Sequence, residues 1–412
     1  MSKVILFEDK RNCCGCGACM NVCPKKAITM REDECGFLYP DIDDSLCVNC
    51  DACRKVCGYQ NLPEAFEPQK VYALAAKDQD ILKKSASGGA FALIANSVLQ
   101  DGGVVYGAAL LKERDTLEPK HIRIDNAKDI ELLQGSKYVQ SDIGMTYLQA
   151  KRDVQEGKIV LFSGTPCQIA GLKRFVGKEY DNLLTIEVIC HGVPSRKMFQ
   201  DFIASQEQQL GGKIEQFFFR DKSKGQGMVT RTVWLDRNNK SRQKTKLGGL
   251  LSFVYFFSKS YIYRENCYSC PFAKKGRSAD LTIGDFWGFH EEHPNSKLNQ
   301  GLSNGEGVSC VLVNTEKGQE YLETCQKNFT LIESEFSKVA KHNEQLHTPS
   351  KCSEQRDVIL ALYQTKGYTS LDRYFKKHYR IDRLLCAISG LLPKSLKRNI
   401  KRILSSIRKR KK

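Results

Sequence analysis

Cys13, Cys16, Cys19 and Cys23 stand at 2-2-3 spacing and are followed by Pro24. The pattern returns at Cys47, Cys50, Cys53 and Cys57, with Gly58 where the first run has proline. Thiolates are soft ligands that select iron–sulfur clusters and zinc. In a doubled run of this kind three close cysteines wrap one corner of a cubane, and the chain carries the fourth to the other cubane. The spacing therefore predicts two 4Fe-4S clusters, one on Cys13, Cys16, Cys19 and Cys57, the other on Cys47, Cys50, Cys53 and Cys23. Two zinc sites are the plain alternative, but 2-2-3 runs are not a zinc-ribbon pattern. Gly15 and Gly17 fall where the backbone must curl to turn its N–H groups toward cluster sulfurs. Cys14 and Cys35 read as buried thiols with no ligand role.

The elements that position these runs are short. Ala27 to Met30 and Gly36 to Pro40 read as strands of a small repeat, and residues 8–60 resemble the two-cluster bacterial ferredoxins throughout. Asn61 to Pro68 reads as a linker. Beyond it, strand-like runs at Val71–Ala76, Gly103–Leu110, Lys158–Ser163, Leu183–Cys190, Leu281–Gly284 and Val308–Val313 alternate with helical ones. The helices are expected at Gly89–Leu99, Asp142–Gln155, Gln168–Phe175 and Arg196–Gln209. That alternation is an α/β pattern with buried strands. No G-x-G-x-x-G follows a strand, so a standard dinucleotide fold is not supported.

Several of the connecting segments carry polar chemistry. Ser85-Ala86-Ser87-Gly88-Gly89 opens a helix, either as an ordinary N-cap or as a phosphate cradle. Gln134-Gly135-Ser136-Lys137-Tyr138 is polar, with one cation and one ring, and taken alone reads as a surface loop. Gly164-Thr165-Pro166-Cys167-Gln168 turns a strand into a helix, the place where open α/β sheets bind ligands. Cys167, Cys190, Cys267 and Cys270 all fall at loops or strand ends. Four thiolates there suit a third 4Fe-4S cluster or a zinc. Cys310, Cys325, Cys352 and Cys386 read as structural or incidental.

Composition bounds the class. With 412 residues, 41% of them apolar, the chain is long enough for two or three domains. Ten of its 18 cysteines lie in the first 57 residues. The start of the chain does not read as a signal peptide, so metal ligation in a reducing cytoplasm is preferred to disulfides. Net charge is +17, but Lys394 to Lys412 hold ten Lys/Arg and no Asp/Glu, leaving +7 elsewhere. No apolar run is long enough to span a membrane.

Taken in order, Ser87-Gly88-Gly89, Gln134 to Tyr138, Gly164 to Gln168, Cys190-His191-Gly192, Cys267-x2-Cys270 and Ala279-Asp280-x3-Gly284-Asp285 resemble the beta subunits of coenzyme F420 hydrogenases and dehydrogenases. The resemblance covers roughly residues 68–330. It implies FAD and a third 4Fe-4S cluster beside the two ferredoxin clusters. Electrons would then pass between a two-electron hydride carrier, coenzyme F420 or another, and one-electron centres. Carried over, Cys167, Cys190, Cys267 and Cys270 become the third-cluster ligands. Ser87, Gly88, Gly89, Gln134, Ser136, Lys137, Tyr138 and Thr165 become the flavin-pocket residues, with Lys137 placed to stabilise an anionic reduced ring. A flavin-free relay serving a partner enzyme, in surface-polysaccharide metabolism for example, is the alternative.

The expected architecture is α+β and α/β. A small ferredoxin-like two-cluster domain (1–62) precedes a larger mixed α/β flavin and iron–sulfur domain in two parts (68–150 and 151–345), then a basic helical extension (350–412). In that tail Leu396, Ile400, Ile403, Leu404 and Ile407 recur at helical spacing among lysines and arginines. Such a helix can lie on an anionic membrane surface. A solvated tail, or a contact to an acidic partner, is the simpler reading, and no nucleic-acid motif is present. The expected location is the cytoplasm, with peripheral contact at the inner face of the membrane, and the expected partner a redox protein or a small hydride carrier.

Overall fold

A computed structural model describes residues 4–301 and 306–391. The ferredoxin-like part holds one antiparallel pair, β1 (Ile28–Glu32) and β2 (Leu38–Ile42), with Ile28 opposite Ile42. After the linker come β3 (Lys70–Ala76), β4 (Val104–Glu113), β5 (Thr116–Ile124), β6 (Val160–Gly164) and β7 (Leu183–Val188). They are followed by β8 (Gly212–Phe218), β9 (Val229–Asp236), β10 (Ser241–Leu247), β11 (Leu281–Asp285), β12 (Ser309–Val313) and β13 (Phe329–Ser334). Eight of these strands form one sheet in the order β13-β3-β12-β11-β7-β6-β4-β5, while β10-β9-β8 form a separate antiparallel sheet.

The centre of the large sheet is parallel, with β4 on β6, β6 on β7 and β7 on β11. Parallel strands are buried on both faces and so read as continuous apolar runs; β7 is buried at every position but its last. One face packs Leu93, Ile94 and Val98 of the helix Ala90–Gln100 against Leu161, Leu184 and Val311. The other packs Tyr147, Ile169 and Leu172 against Tyr106, Val160 and Phe162. Cys14, Cys16 and Ala18 of the ferredoxin-like part belong to this second core, so that part is packed onto the large sheet's own helices.

The helix Pro166–Val176 is the common support. Thr165 caps it, Pro166 supplies a preset first turn, and Gly177 ends it in the left-handed region. It begins directly after β6, so Cys167 emerges at the carboxyl end of the parallel strands. The fold is thus the mixed α/β arrangement expected, with a ferredoxin-like part in front and helices behind. The rear of the molecule is an aromatic core of Phe199, Phe202, Phe217, Phe219, Phe253 and Tyr368, which joins β8 to the helices Arg196–Leu210, Ser252–Ser258 and Gln355–His378. The helix Arg380–Leu391 follows, and the basic run 394–412 lies outside the described residues. Among the described residues no helix is long and apolar enough to cross a membrane.

Candidate cluster sites and cofactor cavity

The structure brings the predicted cysteines together in three sets. Cys13, Cys19 and Cys57 are all near enough to Cys16 to feel its charge. Burial pushes Cys13, Cys19 and Cys57 up from the usual thiol range. Cys23, Cys47, Cys50 and Cys53 line a second, shallower pocket near the surface with Val4, Ile28 and Ile42. Of these only Cys50 is exposed, and Cys53 is buried. The pairing follows the crossed assignment: Cys57 joins the first run and Cys23 the second.

Cys167, Cys190, Cys267 and Cys270 form the third set. Cys190 is raised by burial and by the charges of Cys267, Cys167 and Cys270. Burial also pushes Cys267 to about 12 and Cys270 to about 11. Cys167 is the exception, lowered to about 7 by a hydrogen bond from Cys14. Buried thiols this close together ionise only when a cation offsets the burial, which a metal centre supplies. Among the described residues no three His, Cys, Asp or Glu side chains converge on one ion. A single zinc gathers its sulfurs about 2.3 Å from one point, whereas a cubane spreads its ligands over four corners. The donors of the ferredoxin-like part suit two cubanes, and the third set offers four thiols that would suit a cubane or a zinc.

Between the first and third sets lies Cys14. Its buried thiol hydrogen-bonds both Cys16 and Cys167, and this holds it well above the usual thiol range. The local backbone is built for the approach. A Cβ on Gly171, in the supporting helix, would stand 2.9 Å from the Cys16 sulfur, and one on Gly58 would stand 2.5 Å from the Ala170 backbone. Gly58 is the residue that replaces proline after the second run, and only the absence of a side chain lets the chain pass there. Asn21 adds hydrogen bonds to the Gly144 carbonyl at 2.8 Å and from the Leu148 amide at 3.2 Å.

Beside the third set, and lined by Cys14 as well, a cavity of about 490 Å³ opens at the carboxyl ends of β6, β7 and β11. Ser87, Gly89, Gln134, Ser136, Lys137, Tyr138 and Thr165 line it together with Cys167 and Cys190. Gly88 does not line it. A Cβ there would lie 2.1 Å from the Leu74 carbonyl, so Gly88 serves backbone packing beneath the loop. Lys137 donates to the Gln134 carbonyl at 2.7 Å, and its exposed surface faces the cavity; desolvation lowers its pKa to about 7. Tyr138 stacks on Phe257 with ring centres 4.4 Å apart. The dimensions and the mixture of small, aromatic and cationic groups suit a flavin.

Sequence reasoning missed most of the surrounding wall. His121 bridges Ser141 Oγ at 2.8 Å and the Ser163 carbonyl at 3.0 Å. A carbonyl only accepts, so Nε2 carries the proton, and burial lowers the ring's pKa to about 4, keeping it neutral. Arg220 pairs with Asp285 under Trp287. Each of these contacts joins segments far apart in sequence, and no local pattern marks them. The loop of Cys267 and Cys270 is itself anchored by Arg277, whose guanidinium pairs with Glu187 on β7 and donates to the Phe272 and Lys274 carbonyls.

Comparison with known proteins follows the same division. Residues 12–61 match the 4Fe-4S dicluster domain. Residues 71–145 match the N-terminal part, and 157–338 the C-terminal part, of the coenzyme F420 hydrogenase/dehydrogenase beta subunit; together they cover more than half of the chain. The coenzyme F420-dependent sulfite reductase of Methanocaldococcus jannaschii is 24% identical over 323 residues, 76% of this chain and 46% of that protein. A component of the F420H2 dehydrogenase of Methanosarcina mazei is 26% identical over 192 residues, 43% of this chain and 53% of that one. The chain spans about half the length of these curated relatives. A solved structure of the F420-reducing [NiFe] hydrogenase complex from Methanosarcina barkeri aligns with a TM-score of 0.37 and 16% identity over 76% of this chain and 94% of its own. The chain belongs to the family of coenzyme F420 hydrogenase/dehydrogenase beta subunits, with a 4Fe-4S dicluster domain ahead of the family's two parts.

Proposed function

We propose that this protein is an iron–sulfur flavoprotein oxidoreductase that links a two-electron hydride carrier, received at the cavity, to a one-electron redox partner at the exposed end of the ferredoxin-like part. The observation that supports it is spatial order. Cys167 and Cys190 line the cavity, Cys14 touches both Cys167 and Cys16, and the set containing exposed Cys50 lies outermost. A pure relay would need only the dicluster part and would have no use for a third thiol set beside a cavity of this size.

When bound, FAD supplies exchange of two electrons as hydride and their release one at a time, and 4Fe-4S clusters accept single electrons. The chain's own contribution is to hold and to exclude. Ser87, Gly89, Gln134, Ser136, Tyr138 and Thr165 would contact the flavin, and Lys137 would offer a proton or a charge from Nζ. Cys167, Cys190, Cys267 and Cys270 would ligate the third cluster. The hydride carrier, coenzyme F420 or another, is unassigned by these residues. Contact of the basic tail with an anionic membrane belongs to the same proposal.

Anaerobic assay of iron, acid-labile sulfide, zinc and released FAD tests this reading. About twelve iron and one FAD per chain are expected for three cubanes and one flavin. About eight iron without FAD would overturn it and leave a flavin-free relay.

A further inference from the structure

Arg264, Arg277, Arg220 and Arg356 have side chains at least nine-tenths buried, and the last three have a carboxylate partner. Arg277 pairs with Glu187, Arg220 with Asp285 and Arg356 with Glu265. Arg264 is different. It is 0% exposed, yet its side chain meets no carboxylate within ion-pair distance among the described residues. Its Nε donates to the Cys13 carbonyl at 3.0 Å, one terminal nitrogen donates to Gln140 Oε1 at 3.4 Å, and the other lies 3.8 Å from the Cys13 sulfur. The guanidinium sits 3.9 Å from the centre of the Tyr39 ring. Gly15, between the first ligands, makes room for it: a Cβ there would stand 3.0 Å from the guanidinium.

Burying a permanent cation without a counter-charge is costly. The acidic groups that Arg264 feels most strongly are Cys13, Tyr39, Cys14 and Cys267. The missing counter-charge is therefore the thiolate-ligated centre of the dicluster domain itself. We propose that Arg264, reaching from the large domain into the ferredoxin-like part, is a tuning residue that raises the reduction potential of the inner cluster, on Cys13, Cys16, Cys19 and Cys57. The outer set, open to water at Cys50, has no buried cation of this kind among the described residues. Net charge, hydrogen bonds to sulfur and solvent exposure are the protein's levers on cluster potential. Arg264 supplies the first two at the inner cluster and not at the outer one, and its charge also reaches Cys167 and Cys267 of the third set. Two cubanes with matching ligand spacing are thereby made unequal. The inference rests on the dicluster domain alone and stands whether or not a flavin or a third cluster is present.

The test is an EPR-monitored redox titration of the full-length protein, with iron counted per chain. Cys50→Ser, at the exposed thiol, shifts the outer cluster's wave and so assigns the two. In Arg264→Gln the inner wave is expected to fall by at least the equivalent of a tenfold change in its reduction equilibrium, about 59 mV for one electron, while the outer wave stays. Arg264→Lys, which keeps the charge, is expected to recover most of the shift. A brace with no electrostatic role would lower iron retention or melting temperature without moving a potential. Arg264→Gln with full iron and both waves unmoved would overturn the proposal. Should Arg264→Gln fail to hold iron, Gln140→Glu neutralises the guanidinium in place; the same fall in the inner wave is expected, and unchanged potentials there would equally overturn it.

Discussion

Lys137 is the residue whose charge is most open to control by what fills the cavity. Desolvation is the cause that lowers its pKa to about 7, so near neutral pH the cavity holds a mixture of ammonium and amine. An anionic ligand next to Nζ favours the ammonium form. Above pH 7 binding such a ligand must therefore take up a proton, and affinity weakens as pH rises. Lys137→Met is expected to bind reduced FAD more weakly at pH about 6.5 and to lose this dependence, giving a flat profile to about pH 9. Anaerobic equilibrium dialysis, with free FAD measured by its fluorescence after reoxidation, reads both effects across that range, and a variant with unchanged affinity and slope would remove Lys137 from the site. At this scale the dicluster part was legible because the doubled 2-2-3 cysteine spacing is a local pattern, and residues 12–61 match that domain. Cys14 and Arg264 were not. Each is one residue whose meaning lies in a partner more than 120 positions away, Cys167 for the first and Cys13 for the second.

Among the elements, β3, β4, β6, β7, β11 and β12 were legible as strands because burial on both faces demands uninterrupted apolar runs. The separate sheet was not. β10 reads Ser-Arg-Gln-Lys-Thr-Lys-Leu, with its first four residues exposed, and it is held by pairing to β9 rather than by apolar periodicity. The extra hairpin strand β5 and the edge strand β13 were missed for a related reason: β5 alternates buried with partly exposed positions, and β13 buries only Phe329. Two elements carry direct predictions. Glu187 on β7 holds Arg277, and Arg277 ties down the loop after Cys270. Glu187→Ala leaves a buried guanidinium unpaired, at a cost of roughly 3–5 kcal/mol. The variant is expected to melt earlier and to lose the iron of the third set before that of the ferredoxin-like part. Gly58→Ala acts at the other junction, where a methyl group would meet the Ala170 backbone. Overpacking of this kind costs about 1–3 kcal/mol, and the expected sign is faster proteolytic cleavage within residues 61–68 as the ferredoxin-like part lifts from its supporting helix. Cleavage at the unmodified rate would mean that the contact relaxes without loss.

At the scale of the whole molecule, the last described helix carries an exposed apolar face. The helix Arg380–Leu391 leaves Ile381, Leu384 and Ile388 exposed, at 74%, 60% and 44%. These positions recur at helical spacing and form one apolar stripe next to Arg380 and Arg383. The same helix packs its opposite side on the turn before the helix Ser252–Ser258, where a Cβ on Gly249 would meet the Cys386 sulfur at 2.8 Å. The chain then runs into a segment with ten basic residues and no acidic ones. Basic residues near an anionic bilayer contribute about 1 kcal/mol each, and buried apolar side chains add to that. The two parts together suit an anionic lipid surface better than a folded acidic partner, because a charge contact alone gives no use for the apolar stripe. Vesicles with about a third anionic lipid are expected to float with the full-length protein at low salt. Removing residues 394–412 should abolish most of the binding, and Leu384→Glu should weaken it even with the tail present. Zwitterionic vesicles serve as the control. Equal flotation by the truncated and full-length proteins would exclude the tail, and salt-sensitive binding that Leu384→Glu leaves unchanged would reduce the contact to charge alone.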